Sequence, residues 1–394
     1  MDLIFTQAQR AYRRRLRDWI AANLPDEWKH GLFRGPADEG AAVEIEREWD
    51  RRLYQAGYAG VAWPKEYGGQ GLSVVEQFIL NEELGRVAAP EGISTIGVEL
   101  AGPILLAAGT GEQKQRYIRE ILSGDAIWCQ GFSEPNAGSD LASLRTTAVR
   151  HEDGWLINGQ KVWTTHAPHA DFCLLLARTN PDVPNSRGLT LFIVPMDLPG
   201  ITARPLTQIT GRNEFAEVFF EDVRIPLDSH VGPVDQGWQV ANGVLEIERG
   251  TMKLYRQARF THELEGILKV AQQARPGQVM PAAADDFRQR IATIYAELAI
   301  FRYHNLKLVS RIAAGERIGA DASVSKLFWS EMHQRLAALG FDVLGDAASA
   351  IDDASLSAGR YQELILHCRF ETISSGTSQI QRTLIAERIL GLPR

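Results

Sequence analysis

Residues Gly131-Phe132-Ser133-Glu134-Pro135-Asn136-Ala137-Gly138-Ser139-Asp140 join a small-residue turn to hydroxyls and carboxylates, directly after the apolar run Ile127-Trp128-Cys129-Gln130. Such a turn exposes backbone N–H groups and lets a planar, phosphate-bearing ligand come close. An ordinary polar loop has the same composition, so the turn alone does not decide between the two. Downstream, Trp155-Leu156-Ile157-Asn158-Gly159-Gln160-Lys161-Val162-Trp163-Thr164-Thr165 alternates around Asn-Gly and predicts a β-hairpin. Trp163 and Thr165 follow that turn; by themselves they read as a core aromatic of a barrel and a strand residue. Ser378-Gln379-Ile380-Gln381 predicts a capping box. A helix N-terminus offers free N–H groups and a positive dipole end to an anionic ligand.

One carboxylate is placed as a base would be. On a helix through Val244-Leu245-Glu246-Ile247-Glu248-Arg249-Gly250, the residues Val244, Glu248, Thr251 and Tyr255 share a face beside the apolar stripe Val240, Val244 and Ile247. Glu248 then lies at the edge of a buried face, and Glu246 turns away from it. A desolvated carboxylate there serves as a general base; a surface glutamate paired with Arg249 or Lys253 fits the same pattern.

The elements that must position these residues change character twice. Residues 1–125 read mostly as helix, with helical periodicity over Ala41 to Leu53 and Ser73 to Arg86 and a further helix opened by Gly111-Glu112-Gln113-Lys114. Short strand-like runs follow, Phe172-Cys173-Leu174-Leu175-Leu176-Ala177 and Leu189-Thr190-Leu191-Phe192-Ile193-Val194-Pro195, separated by Pro, Asn and Gly. From 236 onward the helical pattern returns, broken between Arg275-Pro276-Gly277 and Pro281-Ala282-Ala283-Ala284. The order predicts a mostly helical α+β chain of three parts, 1–125, 126–232 and 233–394.

A chain of 394 residues is long for a single core. The net charge of −7 offers no basic surface for nucleic acid. Arg10, Arg13, Arg14, Arg15 and Arg17 cluster, but apolar residues interleave them, which predicts a solvated helix face. No apolar run has the length of a membrane span. Met1-Asp2-Leu3-Ile4-Phe5 lacks the layout of a signal peptide. Cys129, Cys173 and Cys368 have no metal spacing, read as core residues, and with the missing signal layout predict a cytoplasmic protein.

The 131–140 loop and the 155–165 segment together resemble the acyl-CoA dehydrogenase family. So do Ala62-Trp63-Pro64-Lys65-Glu66-Tyr67-Gly68-Gly69-Gln70-Gly71, Glu217-Val218-Phe219-Phe220-Glu221-Asp222-Val223-Arg224-Ile225-Pro226, and Gly376-Thr377-Ser378-Gln379-Ile380-Gln381-Arg382 with Leu384-Ile385-Ala386-Glu387-Arg388-Ile389-Leu390-Gly391. These segments run in family order over nearly the whole chain. The resemblance implies an N-terminal helical domain, a middle β-barrel domain and a C-terminal four-helix bundle. It implies FAD as cofactor, an acyl-CoA as substrate, a trans-2-enoyl-CoA as product and an electron-transferring flavoprotein as acceptor. It also implies a homodimer, a homotetramer or a hetero-oligomer with a related chain.

Carried over position by position, the resemblance assigns Gln130, Phe132, Ser133, Ser139, Trp163, Thr165, Arg275, Gln289, Thr377 and Gln379 to FAD. Gln289 matches a glutamine that reaches a neighbouring subunit's cofactor. Ser139, Glu246, Arg249, Ser375 and Gly376 are assigned to the substrate. The commonest family position for the base is held by Ser375, and a serine there is no base at neutral pH. Isovaleryl-CoA and long-chain acyl-CoA dehydrogenases carry the base on an earlier helix just before an arginine, and Glu248 matches that position.

Two departures stand out. Arg275-Pro276-Gly277-Gln278 lacks the aromatic of the family's Arg-x-x-Phe-Gly, and Asp342-Val343-Leu344-Gly345-Asp346-Ala347-Ala348 keeps one glycine of the three in the family's adenine loop. They leave two alternatives beside a self-sufficient dehydrogenase: a flavin monooxygenase on the same fold, or one subunit of a heteromeric dehydrogenase with an incomplete FAD site. Small residues on the base helix, Gly243 and Gly250, leave room for a bulky, branched or polycyclic acyl group.

Overall fold

The computed structural model describes residues 5–25, 28, 39–247, 256–273, 285–345, 348 and 359–393. Among the described residues five α-helices come first: α1 (Gln7–Asn23), α2 (Glu39–Gln55), α3 (Val74–Arg86), α4 (Gly102–Ala108) and α5 (Gly111–Ser123). Eight strands follow: β1 (Trp128–Gly131), β2 (Thr147–Arg150), β3 (Trp155–Thr165), β4 (Phe172–Arg178), β5 (Leu189–Pro195), β6 (Ile201–Leu206), β7 (Phe215–Ile225) and β8 (His230–Val231). Then come α6 (Gly237–Ile247), α7 (Arg256–Gln273), α8 (Asp285–Ala313), α9 (Asp321–Leu344), α10 (Arg360–His367), a 3-10 turn (Phe370–Thr372) and α11 (Ser378–Arg388). The helix–strand–helix order is the one the sequence predicts. Among the described residues no helix is long and apolar enough to cross a membrane.

The chain divides into two compact units. One comprises Met1–Gly35, Leu72–Pro90 and Arg249–Arg394, the other Pro36–Gly71 and Glu91–Glu248. In the second, the strands form one sheet in the order β6-β7-β3-β2-β4-β5-β8, with β1 parallel to β4. β4 and β5 are apolar at successive positions because both faces of the sheet are covered. Leu174 and Leu176 join the core made with Leu100, Ile104, Ile118 and Ile121, while Cys173, Leu175 and Ala177 enter a second core with Val218 and Phe220. All three cysteines are buried free thiols.

β3 is a correction to the predicted hairpin. Trp155–Thr165 is one continuous strand, paired with β2 on one edge and β7 on the other. Asn158 donates through Nδ2 to Asp222 Oδ1 at 3.0 Å, and its Oδ1 accepts from Asp222 N–H at 2.9 Å. Gly159 is needed because a Cβ there would lie 2.5 Å from Thr146 Oγ1. The dipeptide therefore marks a register shift with a close backbone approach.

In the first unit, α7, α8, α9 and α10 enclose a core of Phe260, Leu264, Ile267, Phe287, Leu298, Phe301, Trp329, Leu336 and Tyr361. The basic cluster on α1 does more than face solvent. Arg13 donates to Glu82 at 2.6 Å and to Glu83 at 2.9 Å, and Arg17 donates to Glu83 at 2.7 Å. Both carboxylates are buried, so these arginines neutralise charge that α3 carries inward.

Candidate functional site

In the β unit the candidate site is the turn after β1 and the C-terminal half of β3. Gln130 and Ser133 are half-buried, Phe132 is buried, and Ser139 is exposed. Val162 N–H donates to Ser133 O at 2.9 Å, so the turn is stitched to β3 beside Trp163 and Thr165. No atom comes within 4 Å of where a Gly138 Cβ would lie, so this stretch of the turn is open.

Trp163 is the most unusual residue of the group. It sits at φ +60°, a conformation strongly disfavoured for a bulky side chain, within the register shift between Lys161 and Thr164. Such a backbone costs on the order of 1–3 kcal/mol. The indole it projects is 61% exposed, held edge-to-face by Phe215 at 6.3 Å. An apolar plate displayed at this cost suits a planar ligand better than a core.

Two charged residues missed in the sequence fix this turn from beneath. Lys161 is fully buried and donates to Phe132 O at 3.0 Å and to Glu134 Oε1 at 2.8 Å. Glu134 also accepts from Arg145 N–H at 2.7 Å and Thr146 N–H at 2.8 Å. Burial pushes the Lys161 ammonium down to about 8, and the Glu134 charge limits the fall. Burial also acts to raise Glu134, but Lys161 and the donors to its oxygens hold it below the usual carboxylate range. The pair is ionised at neutral pH. A lysine at an inward strand position, 27 residues from its glutamate, is the signal that was available.

In the helical unit the candidate site is the turn before α11. Ser375 has φ +52° and Gly376 φ +88°. Their carbonyls are occupied from behind: Gln381 Nε2 donates to Ser375 O at 2.9 Å and to Gly376 O at 3.1 Å, and Lys326 Nζ donates to Gly376 O at 2.8 Å. The predicted capping box is corrected here. Thr377, not Ser378, is the N-cap, and its hydroxyl accepts from Ile380 N–H at 3.2 Å. Gln381 is drawn off to the turn carbonyls, so it does not close a box with Ser378.

Gln379 and Gln289 are both exposed, one in the first turn of α11 and the other near the start of α8. Arg290, beside Gln289, donates to Asp342 at 2.7 Å, which brings the start of α8 to the end of α9, next to Gly345. Glu246 lies in α6. Glu248, Arg249, Gly250, Arg275 and the 346–347 part of the adenine-loop segment fall outside the described residues.

The residues present fit a flavin dinucleotide. Besides the exposed indole and the open turn, Ser378 Oγ and Gln381 Oε1 are buried without a protein partner among the described residues, at a helix N-terminus suited to an anion. Among the described residues no cluster of His, Cys, Asp and Glu is arranged to hold a metal ion.

The fold and these two turns define a flavin-dependent oxidoreductase of the helix–sheet–helix type. Residues 6–125, 129–223 and 235–390 match, in turn, the N-terminal, middle and C-terminal domains of acyl-CoA dehydrogenases. The acyl-CoA dehydrogenase IpdE1 of Mycobacterium tuberculosis is 41% identical over 387 residues, 97% of each chain. Isovaleryl-CoA dehydrogenase of Pongo abelii is 29% identical over 86% of this chain and 80% of its own. Among solved structures, the Tcur3481-Tcur3483 steroid ACAD superposes with a TM-score of 0.88 at 32% identity, covering 100% of both chains. The ChsE4-ChsE5 complex from Mycobacterium tuberculosis gives 0.86 at 32% identity, again covering 100% of both. This chain belongs to the acyl-CoA dehydrogenase family: it is an FAD-dependent oxidoreductase acting on acyl-CoA.

Proposed function

We propose that the chain catalyses α,β-dehydrogenation of a bulky, polycyclic acyl-CoA to the trans-2-enoyl-CoA, with Glu248 as the base. The observation that carries this reading is what has become of the carboxylate nearest Ser375. Glu371 is buried and accepts from His333 Nδ1 at 2.7 Å and Arg256 Nη1 at 3.1 Å. Burial acts to raise it, but the charges of His333 and Arg256 hold it below the usual range. A carboxylate so stabilised is a poor proton acceptor, and the match of Glu248 to the isovaleryl-type base position supports that residue instead.

The turn at Ser375–Gly376, its carbonyls held by Lys326 and Gln381, presents its N–H groups to the thioester carbonyl. Polarising that carbonyl acidifies the Cα–H that Glu248 removes. Gln130, Phe132, Ser133, Ser139, Trp163 and Thr165 hold the flavin end of FAD, and Thr377 and Gln379 a more polar part. When bound, FAD supplies the two-electron acceptor for the hydride leaving Cβ. Electrons then pass to an electron-transferring flavoprotein. The dehydrogenase relatives favour this chemistry over a monooxygenase, and the steroid ACAD supports a polycyclic acyl group. A hetero-oligomer with a related chain is the favoured assembly, because the adenine-loop segment keeps one glycine of three and the ChsE4-ChsE5 relative is a complex of two chains.

Anaerobic mixing of the FAD-loaded protein with a panel of acyl-CoAs tests this. A steroid-type acyl-CoA should bleach the flavin fastest. Glu248→Gln should slow bleaching by at least about 10²-fold, a typical general-base contribution, with FAD content unchanged. Wild-type bleaching rates in Glu248→Gln would move the base elsewhere, and a wild-type flavin that no acyl-CoA bleaches sinks the dehydrogenase reading.

A further inference from the structure

His333, on α9, is buried between two carboxylates from different elements. Its Nδ1 lies 2.7 Å from Glu371 Oε2, in the 3-10 turn, and its Nε2 lies 2.9 Å from Glu263 Oε2, on α7. Ionised carboxylates only accept, so both contacts are hydrogen bonds only if both ring nitrogens carry protons. The ring is an imidazolium. Phe260 stacks on it at 3.9 Å, and Glu371 passes on to Arg256, which lies 4.1 Å over the Trp329 ring.

This chain of charge reaches a turn the proposed reaction depends on. Glu371 lies in the turn whose Phe370 carbonyl accepts from Ile373 N–H at 2.8 Å and Ser374 N–H at 2.9 Å, immediately before Ser375. Gln334, next to His333, holds Cys368 O at 3.2 Å and Thr372 Oγ1 at 3.0 Å. Two adjacent residues of α9 thus fix the turn that leads into Ser375–Gly376.

We infer that His333 is a positioning residue: through Glu371 its cation holds the turn that leads into Ser375–Gly376 in the conformation that binds the thioester. The inference rests on the dehydrogenase reading for its chemistry. Among the described residues, the charged and titratable groups acting on His333 or on its two carboxylates are Arg256, Arg259 and Glu263 of α7, Glu371 of the 3-10 turn, and Arg360 and His367 of α10. Tyr361 and Cys368, both pushed up to about 12 chiefly by burial, stay neutral. Burial alone would lower His333; Glu371 and Glu263 overcome it and raise it to about 9. Alkali above that value should therefore release the turn.

The test uses the FAD-loaded protein, its natural partner chain included if it has one, and reads two things: anaerobic flavin reduction by an acyl-CoA, and amide hydrogen exchange over 370–377. His333→Gln should slow reduction at saturating substrate at least tenfold with KM little changed, and speed exchange over 370–377 at least tenfold without affecting 131–139. Glu371→Gln is the companion variant, since its amide can donate to a neutral ring and still accept from Arg256. It should slow reduction less than His333→Gln does, and lose the fall in rate that wild type shows as pH rises through about 9. Unchanged exchange in His333→Gln overturns the inference. So does faster exchange with wild-type reduction, or a Glu371→Gln variant that keeps the alkaline fall. If His333→Gln does not fold, the Glu371→Gln pH profile decides alone. A wild-type flavin that no acyl-CoA bleaches defeats the dehydrogenase reading instead, and removes this inference with it.

Discussion

The turn after β1 and the turn before α11 solve the same problem by different means. Each must hold a few residues of irregular backbone, and each has a buried lysine donating to a carbonyl of the turn, Lys161 to Phe132 and Lys326 to Gly376. In the β unit the support is compact: Lys161 and Glu134 neutralise each other, and both stand on the strand and turn they stabilise. In the helical unit the support is distributed over α7, α9, α11 and the 3-10 turn, with a cation at His333 shared by two carboxylates. The first arrangement makes a rigid shelf. The second makes a turn whose position depends on the packing and charge state of several helices.

The comparison can be broken most severely at Lys161. Lys161→Met leaves Glu134 buried without its counter-charge, and such losses cost about 3–5 kcal/mol. Urea unfolding should register this, and adding Glu134→Gln should recover part of it. A Lys161→Met protein of wild-type stability would mean that the backbone donors Arg145 and Thr146 suffice for Glu134.

Titration sharpens the contrast, because the two regions respond with opposite signs. His333 is raised from 6.5 to about 9, so the folded state binds the extra proton between those values. Its stabilisation is complete below 6.5 and is lost as pH rises through 9. Lys161 is lowered from 10.5 to about 8, so there the unfolded state binds the extra proton and stability rises with pH across that interval. Hydrogen exchange corrected for its intrinsic base catalysis should show protection falling over 370–377 in alkali while it rises over 131–139. The His333 effect is about 3–4 kcal/mol at most, at roughly 1.4 kcal/mol per unit. The same trend at both sites would remove the distinction.

Lys326→Met probes the distributed arrangement directly. It leaves Gly376 O with Gln381 as its remaining hydrogen-bond donor among the described contacts. Loss of a buried charge-assisted bond costs about 1–3 kcal/mol. Exchange over 373–377 should rise, and flavin reduction should slow with FAD content retained.

The same contrast governs how much the sequence revealed. α3, the buried strands β4 and β5, and the turn after β1 were legible because each is specified by neighbours in the chain. Asn158-Gly159 misled because the local signal for a hairpin is identical to that for this register shift; pairing with β7, far along the chain, decides between them. Ser378 misled because Gln381 had a better use in the turn carbonyls. Lys326, Glu371 and His333 carry no local signature at all. A histidine among apolar residues on α9 reads as core until α7 and the 3-10 turn bring up their carboxylates.

The smallest expected effect concerns Ser375, which stands where many relatives in this family place the catalytic glutamate. If the turn acts through its backbone, the side chain at this position is dispensable. Ser375→Ala keeps the backbone N–H proposed to bind the thioester, keeps the carbonyl that accepts from Gln381, and removes the side-chain hydroxyl of a half-buried residue. At φ +52° alanine is no more strained than serine, so the turn should persist. Substitutions of this kind lie within about 0.5 kcal/mol, which corresponds to roughly a twofold change in rate. Flavin reduction by Ser375→Ala should therefore stay within about twofold of wild type, against the far larger loss at Glu248→Gln. A loss of a hundredfold or more would show that the hydroxyl carries the proton. The helical turn would then be a source of chemistry and no longer only the holder of a carbonyl.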